Sequence, residues 1–178
     1  SWSRIPAWGQ AAMTQLSVFP DSFPLHLAEA ALDLSGFDSA PPVPDILSLL
    51  VDRSMLQRLP GPRMRMLVSL RSFAAPHPGT DPAPSRLVSW FVDHLKPGDT
   101  QLDPEAPILF VALEHALSHD LESAAALMTR MSSFLLYQHP LRLEQMLEQI
   151  RPHMASFPPL LQAVLHLDFV NLHRHKYL

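Results

Sequence analysis

The sequence predicts a mainly α protein in two parts, three helices closed by one β-hairpin and then an antiparallel bundle of helices. Three observations carry that expectation. Apolar residues recur at helical spacing over most of the chain. The period shortens to two across residues 54–68, on either side of Pro60-Gly61-Pro62. A proline-rich run, Pro76 to Pro84, then separates this part from helical segments that continue to the end.

The elements follow in order. Pro6 suits a first helical turn, and Trp8, Ala12, Met13 and Leu16 fall on one face of a helix over 6–16. Asp21 or Ser22 is placed to cap a second helix, with Pro24 just inside it, running to Leu34 before Ser35-Gly36. A loop from Phe37 to Pro44 leads to a third helix at about Asp45 to Arg53, which buries Ile46, Leu49 and Leu50. Ser54 to Leu59 and Arg63 to Val68 alternate apolar with polar residues, which predicts a two-stranded hairpin with no other sheet. A short helix from Leu67 to Ala75 closes the set. Three helices, a hairpin and a closing helix make a winged-helix arrangement.

Beyond the linker the expected helices are 84–96, 103–119, 121–138, 140–155 and 158–176, with Asp103 and Pro104 opening the second. Short turns between helices of this length imply antiparallel neighbours. The starts at 103 and 140 lie close to the period of helix-turn-helix repeats, and Ile108, Val111, Ala112, His115 and Ala124 fall at tetratricopeptide-like spacing. The expected domains are therefore a winged helix at 1–76, a linker at 77–83 and a TPR-like helical domain at 84–178.

Composition agrees with a folded protein. Of 178 residues, 47% are hydrophobic and 17% charged. Nineteen prolines against five glycines imply short segments with rigid breaks. The lack of cysteine removes disulfides, thiolate metal sites and cysteine nucleophiles, and it fits a reducing, cytoplasmic setting. No apolar run approaches the ~18 residues of a membrane span. The start, Ser1 to Pro6, has neither a methionine nor the features of a signal peptide, so the chain reads as part of a longer protein.

A family resemblance enters at the residues that carry it. Leu16-Ser17-Val18-Phe19, Phe23, Leu27-Ala28-Glu29-Ala30, Leu50-Val51-Asp52-Arg53-Ser54-Met55-Leu56 and Arg63-Met64-Arg65-Met66-Leu67 with Arg71-Ser72-Phe73-Ala74 form one pattern. It resembles the winged-helix region of bacterial STAND-class signal-transduction ATPases and transcriptional regulators. That family has glycines where Pro20-Asp21-Ser22 stands, and lysine where Arg53 stands. Leu102-Asp103-Pro104-Glu105 through Ala112-Leu113-Glu114-His115-Ala116-Leu117 is similar to the stretch that opens the family's helical repeats. The resemblance covers residues 5–75 well and 100–135 loosely. It implies an arm that couples a nucleotide-binding module to a helical sensor. The chain has no G-x-x-x-x-G-K-[ST] motif, so any ATPase activity belongs to sequence upstream.

The chemistry expected of the chain is binding. It lacks a Gly-x-Ser-x-Gly elbow, a glycine-rich phosphate loop and paired carboxylates in an apolar setting, so neither an enzyme nor a cofactor site is expected. His115 and His119 are four apart on a helix, and His166, Asp168, His173 and His175 cluster near the end. Zinc needs three or four converging ligands, and these spacings offer two at a time, so no metal is expected. The net charge of −4 arises entirely after residue 75, whereas Arg53, Arg58, Arg63, Arg65 and Arg71 form a stretch without acids. The third helix offers Asp45, Ser48 and Asp52 before Arg53, a face ill suited to a phosphate groove. The five arginines are therefore the expected interaction patch, for an ATPase domain in the same polypeptide or a partner protein. DNA is the alternative partner, and no membrane contact is expected.

Overall fold

The structure, a computed structural model, describes residues 2–75 and 82–176. It is mainly helical, with one small antiparallel sheet among the described residues. The chain divides into two compact units, Ser1–Leu87 and Val88–Leu178. The expected linker at 77–83 lies outside the described residues up to position 81, and Ala83 is already helical.

In the first unit, α1 (Ala7–Leu16) is followed by β1 (Ser22–Pro24), α2 (Leu25–Ala31), α3 (Val43–Asp52), β2 (Leu56–Leu59), β3 (Arg63–Met66) and α4 (Val68–Ala74). The helices bury Met13, Leu16, Leu27, Ile46 and Leu50 around a stacked pair, Phe19 and Phe23, whose ring centroids are 4.3 Å apart. Gly9 sits where a Cβ would come within 2.5 Å of the Ile5 side chain, so a larger residue there would force Ile5 to shift. Pro60 and Gly61 turn the hairpin, with Gly61 at φ +79.

The expectation of a two-stranded hairpin and no other sheet is corrected here, because the sheet has three strands in the order β1-β3-β2. Ser22, Phe23 and Pro24 pair with Arg65, Met64 and Arg63. The physical reason is Pro24. Its ring drives the preceding Phe23 into extended backbone, and its missing N–H is tolerated on an edge strand. Neither Asp21 nor Ser22 caps the second helix. It starts after Pro24 without a side-chain cap and ends at Ala31, not Leu34.

The second unit takes over within α5 (Ala83–His94) and continues with α6 (Ala106–His119), α7 (Leu121–Gln138), α8 (Pro140–Ile150), a 3-10 turn (Arg151–Ser156) and α9 (Pro159–Lys176). Helix α7 is central, packing on α6, α8 and α9. It buries Met128, Met131, Phe134 and Leu135, and its neighbours bury Leu109, Leu113, Leu147 and Leu165. Asp120 caps it, its carboxylate accepting from Ser123 N–H at 3.1 Å and Ser123 Oγ–H at 2.6 Å, and these bonds hold the carboxyl below its usual range. Two boundaries differ from expectation. Asp103 does not cap α6, which begins at Ala106 after a turn through Asp103–Glu105. Helix α8 stops at Ile150 because Pro152 lacks the N–H needed to extend it.

Candidate functional site

The five arginines of the expected patch divide into two kinds. Arg63 lies opposite Pro24 in the sheet, and its Nε–H donates to Ser22 Oγ at 3.0 Å and an Nη2–H to the Ser22 carbonyl at 2.9 Å. Arg71, on α4, donates through Nη1 to the Phe19 carbonyl at 3.3 Å and to that of Pro20. These two guanidinium groups hold the α1–β1 connection and the edge strand. Their charge is half-buried and committed to structure.

Arg53, Arg58 and Arg65 are exposed. Arg65 donates to Gln57 Oε1 at 3.3 Å across the hairpin, as their pairing in the register allows. The Arg53 and Arg58 guanidinium groups make no hydrogen bond or ion pair with the described residues. Beside them, α3 exposes Asp45 and Asp52 and half-exposes Ser48. The accessible cations are thus on the hairpin and the C-terminal end of α3, and the rest of that helix presents carboxylates.

A cleft of ≈ 270 Å³ opens where α3 meets the hairpin. Leu25, Leu47, Leu59 and Met64 give it an apolar lining, which Arg58, Arg63 and Ser48 complete. Register explains the place of Arg58 and Met64. Leu56 pairs with Met66 and packs into the core, and Arg58 pairs with Met64 two residues further out on the same face. The hairpin therefore runs beyond the core, and its last inward-facing pair lines a cleft.

The second unit carries a groove of ≈ 530 Å³ between α6 and α8, lined by Leu117, Leu141 and Met146 with Glu114, Arg142 and Gln145. Arg142 pairs with Glu114 and lies 3.7 Å from the centroid of the Phe110 ring, tying α8 to α6. On α9, Leu160, Leu167 and Val170 remain 79%, 61% and 46% exposed.

The histidine groupings do not converge. The rings of His115 and His119 stack at 4.2 Å, with His119 Nδ1 on the His115 carbonyl at 2.9 Å. His166, His173 and His175 are exposed, while Asp168 is buried; the two-residue step from His166 to Asp168 turns to the opposite face of the helix. Among the described residues, no group of three His, Cys, Asp or Glu side chains is placed to hold a metal ion. No described helix is long and apolar enough to cross a membrane.

Asp168 is the buried charged residue of the second unit. Burial pushes its carboxyl up to about 6, against the opposing effect of a hydrogen bond with Ser132 on α7. Its Oδ2 has no hydrogen-bond partner. Sequence reasoning saw only another polar residue among histidines. It also missed the cleft and the roles of Arg63 and Arg71, and the signal for those roles lay in Ser22-Phe23-Pro24, an extended tripeptide with a polar outer residue.

Compared with known protein families, with curated proteins and with solved structures, the chain matches none.

Proposed function

We infer that this chain is a non-catalytic, regulatory protein-interaction segment of a larger signalling ATPase. In that reading the first unit is a winged-helix arm coupled to a nucleotide-binding module elsewhere in the polypeptide. The second is a TPR-like sensor in which α6–α7 and α8–α9 are two helical pairs. The element order around α1, α2, α3 and the hairpin supports the first assignment, and the succession of α6 to α9, each packed on the next, supports the second. One observation carries the functional choice: the exposed Arg58 lines an apolar cleft, with Arg53 and Arg65 also exposed, while α3 itself presents Asp45 and Asp52. Duplex binding uses a helix whose side chains reach base edges and phosphates, and two carboxylates there repel the phosphate backbone. A protein surface accepts the same mixture of charge and apolar area.

Anisotropy titrations with duplex DNA test this choice. No saturable duplex binding is expected at physiological salt. DNA would become the function if one duplex bound below about 1 μM, was preferred over its scramble, weakened steeply with salt and lost affinity on Arg58→Ala with Arg65→Ala.

A further inference from the structure

We propose that the cleft between α3 and the β2–β3 hairpin is a peptide-docking site, which seats one large apolar side chain of an acidic segment of a partner protein while Arg58 takes the neighbouring carboxylate. The proposal rests on the protein-binding reading above and makes it specific. Size argues first. At ≈ 270 Å³ the cleft is at the small end of binding sites, of a size to take a single large side chain. Chemistry argues second. Leu25, Leu47, Leu59 and Met64 provide an apolar seat, and a seat of this kind gains its energy from an aromatic or aliphatic anchor.

Charge then selects the partner. Arg63 spends two donors on Ser22, whereas the Arg58 guanidinium lines the cleft with its donors unused by the described residues. Arg53 and Arg65 are exposed as well, and no acid lies between positions 53 and 71. An exposed guanidinium next to an apolar seat recognises a carboxylate through paired N–H donors, so the complementary peptide carries Asp or Glu beside its anchor. Asp45 and Asp52 on α3 disfavour a longer polyanion such as nucleic acid, which would have to track along that helix.

The test uses the whole chain with ¹³C-labelled leucine and methionine methyl groups. The probe is an acidic nonapeptide with one central phenylalanine. Saturable shifts of the Met64 and Leu47 methyls are expected, with a Kd on the order of 100 μM. Arg58→Glu should weaken binding about tenfold or more, and a peptide with its acids converted to amides should lose a similar factor. Ser48→Trp, which fills the cleft, should abolish the shifts, as should serine in place of the peptide's phenylalanine. Unchanged Leu50 methyl shifts would show that each variant is folded. Absence of Met64 shifts at ~1 mM peptide overturns the proposal. Shifts confined to Met146 in the α6–α8 groove overturn it too, but they leave the protein-binding reading standing. A duplex that moves Met64 and displaces the peptide overturns both.

Discussion

The two units differ in how much they rely on side chains to satisfy the backbone, although the second repeats the arginine device at Arg130, which donates to the Leu95 carbonyl at 2.9 Å. In the first unit, side chains reach in to satisfy the backbone: Arg63 serves the Ser22 carbonyl, Arg71 those of Phe19 and Pro20, and Arg86 that of Ala31. In the second unit, α7 and α9 are each 18 residues long and satisfy most of their own carbonyls. The difference follows from element length. A helix leaves four carbonyls unpaired at its C-terminal end whatever its length, so in seven-residue α2 most carbonyls are end groups. Short elements need partners from elsewhere, and arginine forks supply them. Long helices need few, and there the exceptional polar group is a side chain, Asp168, with one oxygen unpartnered.

The largest effect expected from this contrast is at Arg86. Its Nε–H donates to the Ala31 carbonyl at 2.8 Å, and an Nη2–H to Gln15 Oε1 at 2.8 Å. Gln15 in turn accepts from the Asp33 N–H at 2.7 Å and donates to the Asp33 carbonyl at 2.8 Å. Arg86→Ala removes the charged donor and strands the carbonyl at the end of α2, a loss of about 2–3 kcal/mol. Hydrogen exchange should show α1 and α2 amides losing protection by that amount while those of α7 keep theirs. Equal loss in α7 would break the comparison, since the two units would then open together. Arg86→Lys should recover only part of the loss, because an ammonium does not reproduce the fork.

A smaller effect of opposite sign is expected at Asp168. Its folded carboxyl is raised to about 6 by burial, so folding favours the protonated form. The sign follows from linkage. Between roughly pH 4 and pH 6 the folded state binds more protons than the unfolded chain, so stability falls as pH rises through that window and levels off above it. Asp168→Asn keeps a hydrogen-bonding group for Ser132 and removes the buried charge. It should stabilise the second unit by about 1–2 kcal/mol at pH 8, with the gain vanishing near pH 4. Denaturation of both proteins across that range checks it. A gain that does not depend on pH would mean that packing, and not charge, is at issue.

Legibility in the sequence tracks how local each cause is. Helix α7 could be bounded from its own residues, because Asp120 caps it within three positions and His139-Pro140 ends it. The hairpin was equally local, with Pro60 and Gly61 between two alternating runs. Strand β1 was not, since its partner β3 lies about forty residues away and Pro24 reads equally well as the first turn of a helix. The arginine patch was legible as charge and not as geometry. Whether a guanidinium faces a carbonyl, like Arg71, or water, like Arg53, depends on tertiary neighbours that no local spacing encodes. Asp168 shows the same limit, because its burial comes from α9 packing on α7.

The smallest expected effect sharpens the comparison at a chain reversal. Helix α3 ends with the Met55 N–H on the Leu50 carbonyl at 2.8 Å and the Ser54 N–H on the Val51 carbonyl at 2.9 Å, the bond pair of a Schellman cap. That geometry needs a left-handed residue, and Ser54 supplies it at φ 59, the sole positive-φ residue other than glycine among the described residues. In the second unit the left-handed position at 98 is a glycine, so there the turn carries no comparable strain. A Cβ in this conformation costs about 1–2 kcal/mol, and glycine relieves it while adding freedom to the unfolded chain. Ser54→Gly should therefore stabilise the first unit by a net of about 0.5–1 kcal/mol. Ser54→Ala, which keeps the Cβ and loses only an exposed hydroxyl, should change little. Denaturant midpoints for the three proteins decide the matter. If glycine fails to exceed serine while alanine equals it, unfolded-state entropy outweighs the strain, and tight short-element turns are not where the first unit gives up stability.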